Sequence, residues 1–308
     1  MKFKIFIYSL IISLIFSVHS YAFWFFGSSK VKNGEVVIVH TNDAHARIRG
    51  CGCRHAGGGL IKRSYKVKEL RKELKEFLLL DAGNFLFGDP QSDKVQGEFI
   101  VAAYNLMGYD ACNISPHEFK YGIQKLKELQ KKANFDFISA NIYDKKTDKL
   151  LFEPYKIYKK NGVKIAVIGI CDTLLYRIEP KAVSLIKESQ ITIKNPYKIL
   201  PDLVNKLSKK ADLIVLMSYS GFKKDIKIAD NIKGIDVIVG GYSSHRIYEK
   251  RGNTYVGQAY RDGKYMGKID CKIIDGEKKY TGKIISMERN DMDDQEMKDL
   301  LKKFNLKE

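Results

Sequence analysis

Several things are missing from this 308-residue chain. After the first twenty residues, no apolar run is long enough to span a bilayer. No helix-turn-helix pattern or interleaved aromatic and basic motif suggests a nucleic-acid partner. There is no internal repeat and no low-complexity linker, which argues against solenoids and strings of modules. Acidic residues are too few to balance the basic ones, 36 against 54, and the formal charge is +18. Such a chain favours anionic partners: membrane surfaces, phosphates or an acidic protein. The partner expected overall is an anionic small molecule or a redox partner protein. The lysines are spread along helical faces such as "KVKELRKELKE", as expected of a solvated surface.

Cysteine is also scarce. The five thiols are Cys51, Cys53, Cys112, Cys171 and Cys271, and an odd number leaves at least one outside any intramolecular disulfide. The last three lie in strand-like contexts ("DACNI", "VIGIC", "KIDCK") and read as small buried residues.

The N-terminus has the pattern of an export signal. Lys2 and Lys4 precede the apolar stretch "IFIYSLIISLIFSV", and "SYA" places small residues at a cleavage position after Ala22. No cysteine follows that position, which argues against a lipid-anchored lipoprotein. The expected organisation is a signal peptide over 1–22, a linker over 23–34, one domain over 35–290 and a charged helix over 291–308. The expected location is periplasmic or secreted. Membrane contact is expected only through an uncleaved leader or the aromatic segment Phe23, Trp24, Phe25 and Phe26.

Short β-rich runs then alternate with amphipathic helical ones. "EVVIVH", "FLLLDAG", "YDACNIS", "FDFISANI", "DLIVLMS" and "DVIVGG" read as strands. "LIKRSYKVKELRKELKE", "GEFIVAAYNLMG", "GIQKLKELQKKA", "NPYKILPDLVNKLSKK" and "KKDIKIADNI" read as helices. "YKIYKKNGVKIAVIGIC" reads as a hairpin turning at Asn161-Gly162. Later runs ("NTYVGQAY", "KYMGKIDCKIID", "YTGKIISMERN") are β, and "DQEMKDLLKKFN" is a closing helix. The alternation predicts an α/β fold. The unusual residues sit in loops after the strands: "HTNDAH", "DAGNFLFGD", "NISPHEF", "MSYSGF" and "GGYSSHR". In open α/β sheets, ligands gather at the carboxyl ends of strands.

Those five loops, in that order, resemble the 5'-nucleotidase and UDP-sugar hydrolase family of calcineurin-like metallophosphoesterases. "VHTNDAH", "GGGLIKR", "LLLDAGN", "YDACNISPHEFKYG", "DLIVLMSYSG", "DVIVGGYSSH" and "VGQAYRDGKYMGKI" carry the resemblance over roughly residues 35 to 273. It implies a four-layer αββα sandwich with two bridged cations at the strand ends, where they bind phosphate and activate water. It also implies a second, C-terminal nucleotide-binding domain, which this sequence is expected to lack.

The family's metal ligands fall on this chain unevenly. Its first Asp and His match Asp43 and His45. The bridging Asp falls on Asn84, the Asn of G-N-H-E on Pro116, and the His of S-H-x-G on Tyr219. The two His of G-G-H-x-H fall on Tyr242 and Ser244, with His245 one position late. The family's catalytic His matches His117, but the Asp that orients it falls on Lys120. The set Asp43, His45, Asn84 and His245 could still hold one divalent metal (Zn, Mn or Fe), rather than the full two-metal centre.

Between the first block and Gly-Gly-Leu stands "RIRGCGCRHAG". An extended backbone would put Cys51, Cys53 and His55 on one face. Three readings compete. Cys51 and Cys53 could cycle between dithiol and disulfide, with Arg49, Arg54 and His55 favouring the thiolate and His45 and His55 as acid-base groups. The three side chains could be soft-metal ligands, with His55 as ligand or acid-base group. Or the pair could staple a glycine-rich loop. Proteins similar to this family carry C-G-C here, some with selenocysteine in place of one Cys, and that pattern favours redox. The function expected is therefore an exported 5'-nucleotidase-like protein repurposed for thiol or soft-metal chemistry. The alternatives are a phosphoester hydrolase with a reduced metal site and a non-catalytic binding protein. Export through the leader predicts that N-terminal sequencing of the mature protein starts at Phe23; a sequence starting at Met1 would mean an uncleaved anchor.

Overall fold

A computed structural model describes residues 30–50, 57–173 and 178–307. The leader, the stretch 23–29, and Cys51, Cys53, Arg54 and His55 lie outside them. Two six-stranded sheets form the centre. The first runs β14 (Glu277–Ser286), β13 (Tyr265–Ile274), β1 (Gly34–Thr41), β2 (Leu78–Asp81), β3 (Ala111–Asn113) and β4 (Asp136–Ile138). The second runs β11 (Arg246–Arg251), β12 (Thr254–Ala259), β10 (Val237–Gly240), β9 (Leu213–Tyr219), β7 (Val163–Cys171) and β6 (Tyr155–Lys160). A two-stranded piece pairs β5 (Ile142–Asp144) with β8 (Ile191–Ile193).

The layering follows from period-2 alternation in strands buried on both faces. In β1, Val36 and Ile38 point to the core between the sheets. There they join Leu78 and Leu80 of β2, Ile165 and Val167 of β7, Val215 and Met217 of β9, and Val239 of β10. Val37 and Val39 point the other way, into a core closed by the helices Leu60–Glu73, Glu98–Met107, Gly122–Lys132 and Gln295–Lys303. On the outer face of the second sheet, Ile168, Leu216 and Ile238 meet the helices Pro196–Ser208 and Phe222–Asn231. The result is the αββα sandwich. Cys112, Cys171 and Cys271 are buried free thiols, and burial pushes all three up, Cys271 to about 12. They stay protonated and inert at neutral pH.

The hairpin turns at Asn161 (φ 48°) and Gly162 (φ 83°), the two left-handed positions a two-residue turn requires. "FDFISANI" divides into β4 and β5 because Ala140 leaves the first sheet and donates its N–H to the Gly169 carbonyl (2.7 Å). The last helix is integral to the domain: Met297 and Leu301 are buried, and the Asp294 carboxylate accepts from Ser64 and from Lys68 (2.7 Å). Among the described residues no helix is long and apolar enough to cross a membrane.

One close approach joins β13 to β1 and β11. His40 is fully buried, and its Nε2 lies 3.0 Å from the Tyr248 hydroxyl. A Cβ on Gly267 would stand 2.1 Å from His40 Nε2 and 2.4 Å from Tyr248 Oη. Gly267→Ala is therefore expected to lower stability by about 1–3 kcal/mol, read from denaturant unfolding, because overpacking forces both rings off their rotamers. An unchanged midpoint would contradict this packing.

Candidate functional site

The carboxyl ends of β1, β2, β3, β9, β10 and β12 converge around Asp43. This carboxylate is 3% exposed and leaves β1 in the left-handed region (φ 48°). Both of its oxygens are engaged. Oδ1 accepts from the Tyr219 hydroxyl at 2.8 Å and, more distantly, from Asn84 Nδ2 at 3.5 Å. Oδ2 accepts from the Tyr242 backbone N–H at 2.7 Å and from Asn42 Nδ2 at 2.9 Å. Asn84 Nδ2 also donates to the Tyr219 oxygen at 3.0 Å. Asp43, Tyr219 and Asn84 thus form a closed hydrogen-bonded triangle. Burial, together with the adjacent Asp43 charge, raises the Tyr219 phenol well above its ordinary value, so it remains a proton donor. The Tyr242 ring packs edge-on to Tyr219 with centroids 5.5 Å apart.

Several non-glycine residues here sit at positive φ: Asp43, His45 (49°), Ala46 (53°), Asn84 (62°) and Tyr242 (77°). Such backbone costs on the order of 1–3 kcal/mol per residue and clusters at functional loops. The strain is offset by bonds between loops, such as His45 N–H to the Asn84 carbonyl and Asp43 N–H to the Gly83 carbonyl, both 3.0 Å.

His45 is held from the outside. Its Nδ1 lies 2.9 Å from Asp262 Oδ1, with Arg47 and Arg261 also near that carboxylate (3.6 and 3.4 Å). Burial would raise Asp262, but the His45 hydrogen bond and the adjacent positive charges hold it below its usual value. His117 stands edge-on to the Tyr219 ring at 5.7 Å. Burial lowers it to about 4, and the nearby His45 adds to the effect. Among the described residues neither ring nitrogen of His117 has a hydrogen-bond partner. Pro116 opens a short 3-10 helix, Pro116–Phe119, capped reciprocally by Ser115 and Glu118. The buried Glu118 carboxylate also accepts the Phe85 N–H (2.9 Å), tying the β3 loop to the β2 loop. Lys120 turns away from His117 to Asp93 at 2.8 Å.

Of the residues expected at the site, the structure brings together Asp43, His45, Asn84, His117, Tyr219 and Tyr242. It does not bring His245. That side chain is exposed, bonds Ser243 Oγ at 3.0 Å and stacks on Phe222, because the left-handed Ser244 (φ 52°) turns the chain outward. Asn84 serves here as an amide donor to the triangle. Asp81 braces the loops from below, accepting from Thr41 Oγ1 (2.6 Å), Tyr104 Oη (2.9 Å) and the Gly83 N–H (2.9 Å). Among the described residues, no group of three or more His, Cys, Asp or Glu side chains is placed to hold a metal ion. The residue that sequence reading missed is Asp262. Its only signal is an Asp-Gly turn in "AYRDGK", far along the chain from His45. Cys51, Cys53 and His55 lie outside the described residues. The two flanks of their loop meet, since a Cβ on Gly59 would lie 2.5 Å from the Arg49 carbonyl carbon.

No family model matches the chain. Relatives do. Protein UshA of Yersinia enterocolitica is 30% identical over 83% of this chain and 52% of its own. A snake venom 5'-nucleotidase of Gloydius brevicauda is 31% identical over 92% of this chain and 54% of its own. These comparisons support the 5'-nucleotidase family. The chain spans about half the length of the curated relatives it matches. Among solved structures, a 5'-nucleotidase precursor from Thermus thermophilus superposes with a TM-score of 0.75 at 24% identity, covering 88% of this chain and 58% of that one. The calcineurin-like phosphoesterase YfkN from Bacillus subtilis gives 0.73 at 22% identity, covering 89% and 97%. The fold is the α/β sandwich of those phosphoesterases.

Two outcomes follow from the geometry. Followed by NMR, His117 should titrate with a midpoint near 4. Its folded value lies below the unfolded one of about 6.5, so its contribution to stability is complete above pH 6.5 and is lost as pH falls toward 4. A midpoint at about 6 or above would contradict the buried placement. Tyr219→Phe should cost about 1–3 kcal/mol in unfolding free energy, because it strips a buried carboxylate of its best donor. A neutral Tyr219→Phe would deny the triangle.

Proposed function

We propose that this is an exported protein of the 5'-nucleotidase family in which the two-metal hydrolytic centre has given way to a hydrogen-bonded plug. The chemistry falls instead to Cys51 and Cys53. The Tyr219 hydroxyl at 2.8 Å from Asp43 Oδ1 carries the reading. A bridged pair of dications needs anionic oxygens with free lone pairs. At Asp43 those lone pairs meet four neutral donors, and the amide of Asn84 and the phenol of Tyr219 bring no charge. The residues present do not fit two cations.

In the reaction proposed, the Cys51 and Cys53 thiols give up two electrons and two protons to a disulfide on a redox partner protein. An S–S bond forms between them, and the partner's disulfide becomes two thiols. His45, held by Asp262, is the acid-base group at this mouth. His117, neutral at pH 7, offers an unpartnered ring nitrogen beside it. Two of the metal ligands expected from the sequence, Asp43 and Asn84, become supports, and with Tyr219 and Tyr242, which stand at ligand positions of the family, they hold the loops that carry His45 and His117. The export proposal rests on the leader pattern over 1–22.

The relatives' names favour the alternative, a phosphoester hydrolase. The two separate in one preparation. In mature protein purified anaerobically, mild reductant should expose two thiols that vanish on reoxidation; in Cys51→Ser or Cys53→Ser this reversible pair should be absent and the one remaining thiol should stay free throughout. Metal content should stay well below one per chain, and p-nitrophenyl phosphate should release no phosphate. Two Mn, Zn or Fe per chain with phosphate release abolished by Asp43→Ala would overturn the reading. Thiols inert to reductant, with no turnover, would leave a binding protein and overturn it equally.

A further inference from the structure

A cavity opens on the outer side of the second sheet. It has a volume of about 580 Å³ and is formed at the carboxyl ends of β7 and β9, against the first turn of the helix Pro196–Ser208 and one face of the helix Phe222–Asn231. Its size suits a small organic ligand. Its lining carries two lysines, Lys224 and Lys227, against a single carboxylate. Ser220, next to Tyr219 in the chain, is 4% exposed, and its Oγ is buried with no hydrogen-bond partner. Leaving such a group unpaired costs about 1–3 kcal/mol, so the hydroxyl is a position built for a ligand atom.

Asn195 caps the helix Pro196–Ser208 by accepting the Tyr197 N–H at Oδ1 (3.0 Å). Its Nδ2 has no partner among the described residues. The same helix presents its positive end to the cavity. Lys227 has no ion-pair partner among the described residues. The one carboxylate in the lining, Asp172, is already neutralised by Lys224. Pro196, the Tyr197 ring and Ile228 supply an apolar wall.

We propose that this cavity binds a small organic oxyanion, a phosphate or sulfate monoester. Ser220 Oγ, Asn195 Nδ2 and the Lys227 ammonium take the tetrahedral head, and the Tyr197 side takes the organic part. The site is independent of the thiol reading and of the Asp43 cluster.

Phenyl phosphate and phenyl sulfate are the probes, with binding measured by calorimetry on the full mature protein and stability by thermal unfolding. At least one probe should bind and raise the melting temperature. Ser220→Ala and Lys227→Ala should each weaken binding at least tenfold. Lys264→Ala, a cation near the Asp262 loop, should leave it unchanged. Without ligand, Ser220→Ala should melt at or above the wild-type temperature, because it removes an unpaired buried hydroxyl. That readout separates a ligand site from a folding defect. Phosphate binding alone, or sulfate alone, identifies the source of the oxyanion. No binding of either probe at millimolar concentration, equal binding by all four proteins, or a Ser220→Ala protein that melts lower without ligand would overturn the proposal.

Discussion

Everything at the open end of this sandwich is arranged around one buried carboxylate. Asp43 is nearly inaccessible, and among the described residues no lysine or arginine is one of its hydrogen-bond partners. A buried charge without compensation is strongly destabilising, and in proteins it must be paired or surrounded by hydrogen-bond donors. Here the donors come from the carboxyl ends of four strands: Asn42 after β1, Asn84 after β2, Tyr219 at the end of β9 and the backbone of Tyr242 after β10. Each loop is fixed in turn because its donor is needed there. The left-handed residues around Asp43 persist for the same reason, since the bonds they enable outweigh the strain.

A second layer of buried polar groups supports the first. Asp81 ties β1 and β2 to the helix Glu98–Met107 through Thr41 and Tyr104, and the fully buried Arg63 lies over the Tyr104 ring at 5.3 Å. Glu118 links the loops after β2 and β3. The three free thiols lie within the cores, where burial keeps them protonated. The thiol chemistry proposed for this protein therefore falls to Cys51 and Cys53. Beside Asp43, Arg47, Arg261 and His45 all lie against the Asp262 carboxylate.

Much of the architecture was legible because both faces of the central strands are buried, so "EVVIVH" and "DLIVLMS" read as near-continuous apolar runs. The hairpin at Asn161-Gly162 was legible from turn chemistry. Strand β11 was not. It is an edge strand, and "RIYEKR" carries the charges that protect an edge from aggregation, so its β character is diluted. The residue types at Asn84, Pro116, Tyr219 and Tyr242 could be read from the sequence, but the contacts they make could not. The Tyr219–Asp43 bond joins residues 176 positions apart. The pair His45–Asp262 spans 217 positions, with no local pattern to announce it. His245 was misplaced by a single residue of loop geometry, since Ser244 at positive φ sends it outward to Phe222.

The central claim is that a phenol, not a metal, satisfies Asp43. The most direct measurement is a crystal structure of the mature protein soaked in millimolar manganese and zinc, with anomalous difference maps collected for both. The account predicts no anomalous peak beside Asp43, with Tyr219 Oη still within hydrogen-bond distance of Oδ1. Two peaks bridged near Asp43 and Asn84, with the Tyr219 ring swung clear, would contradict it.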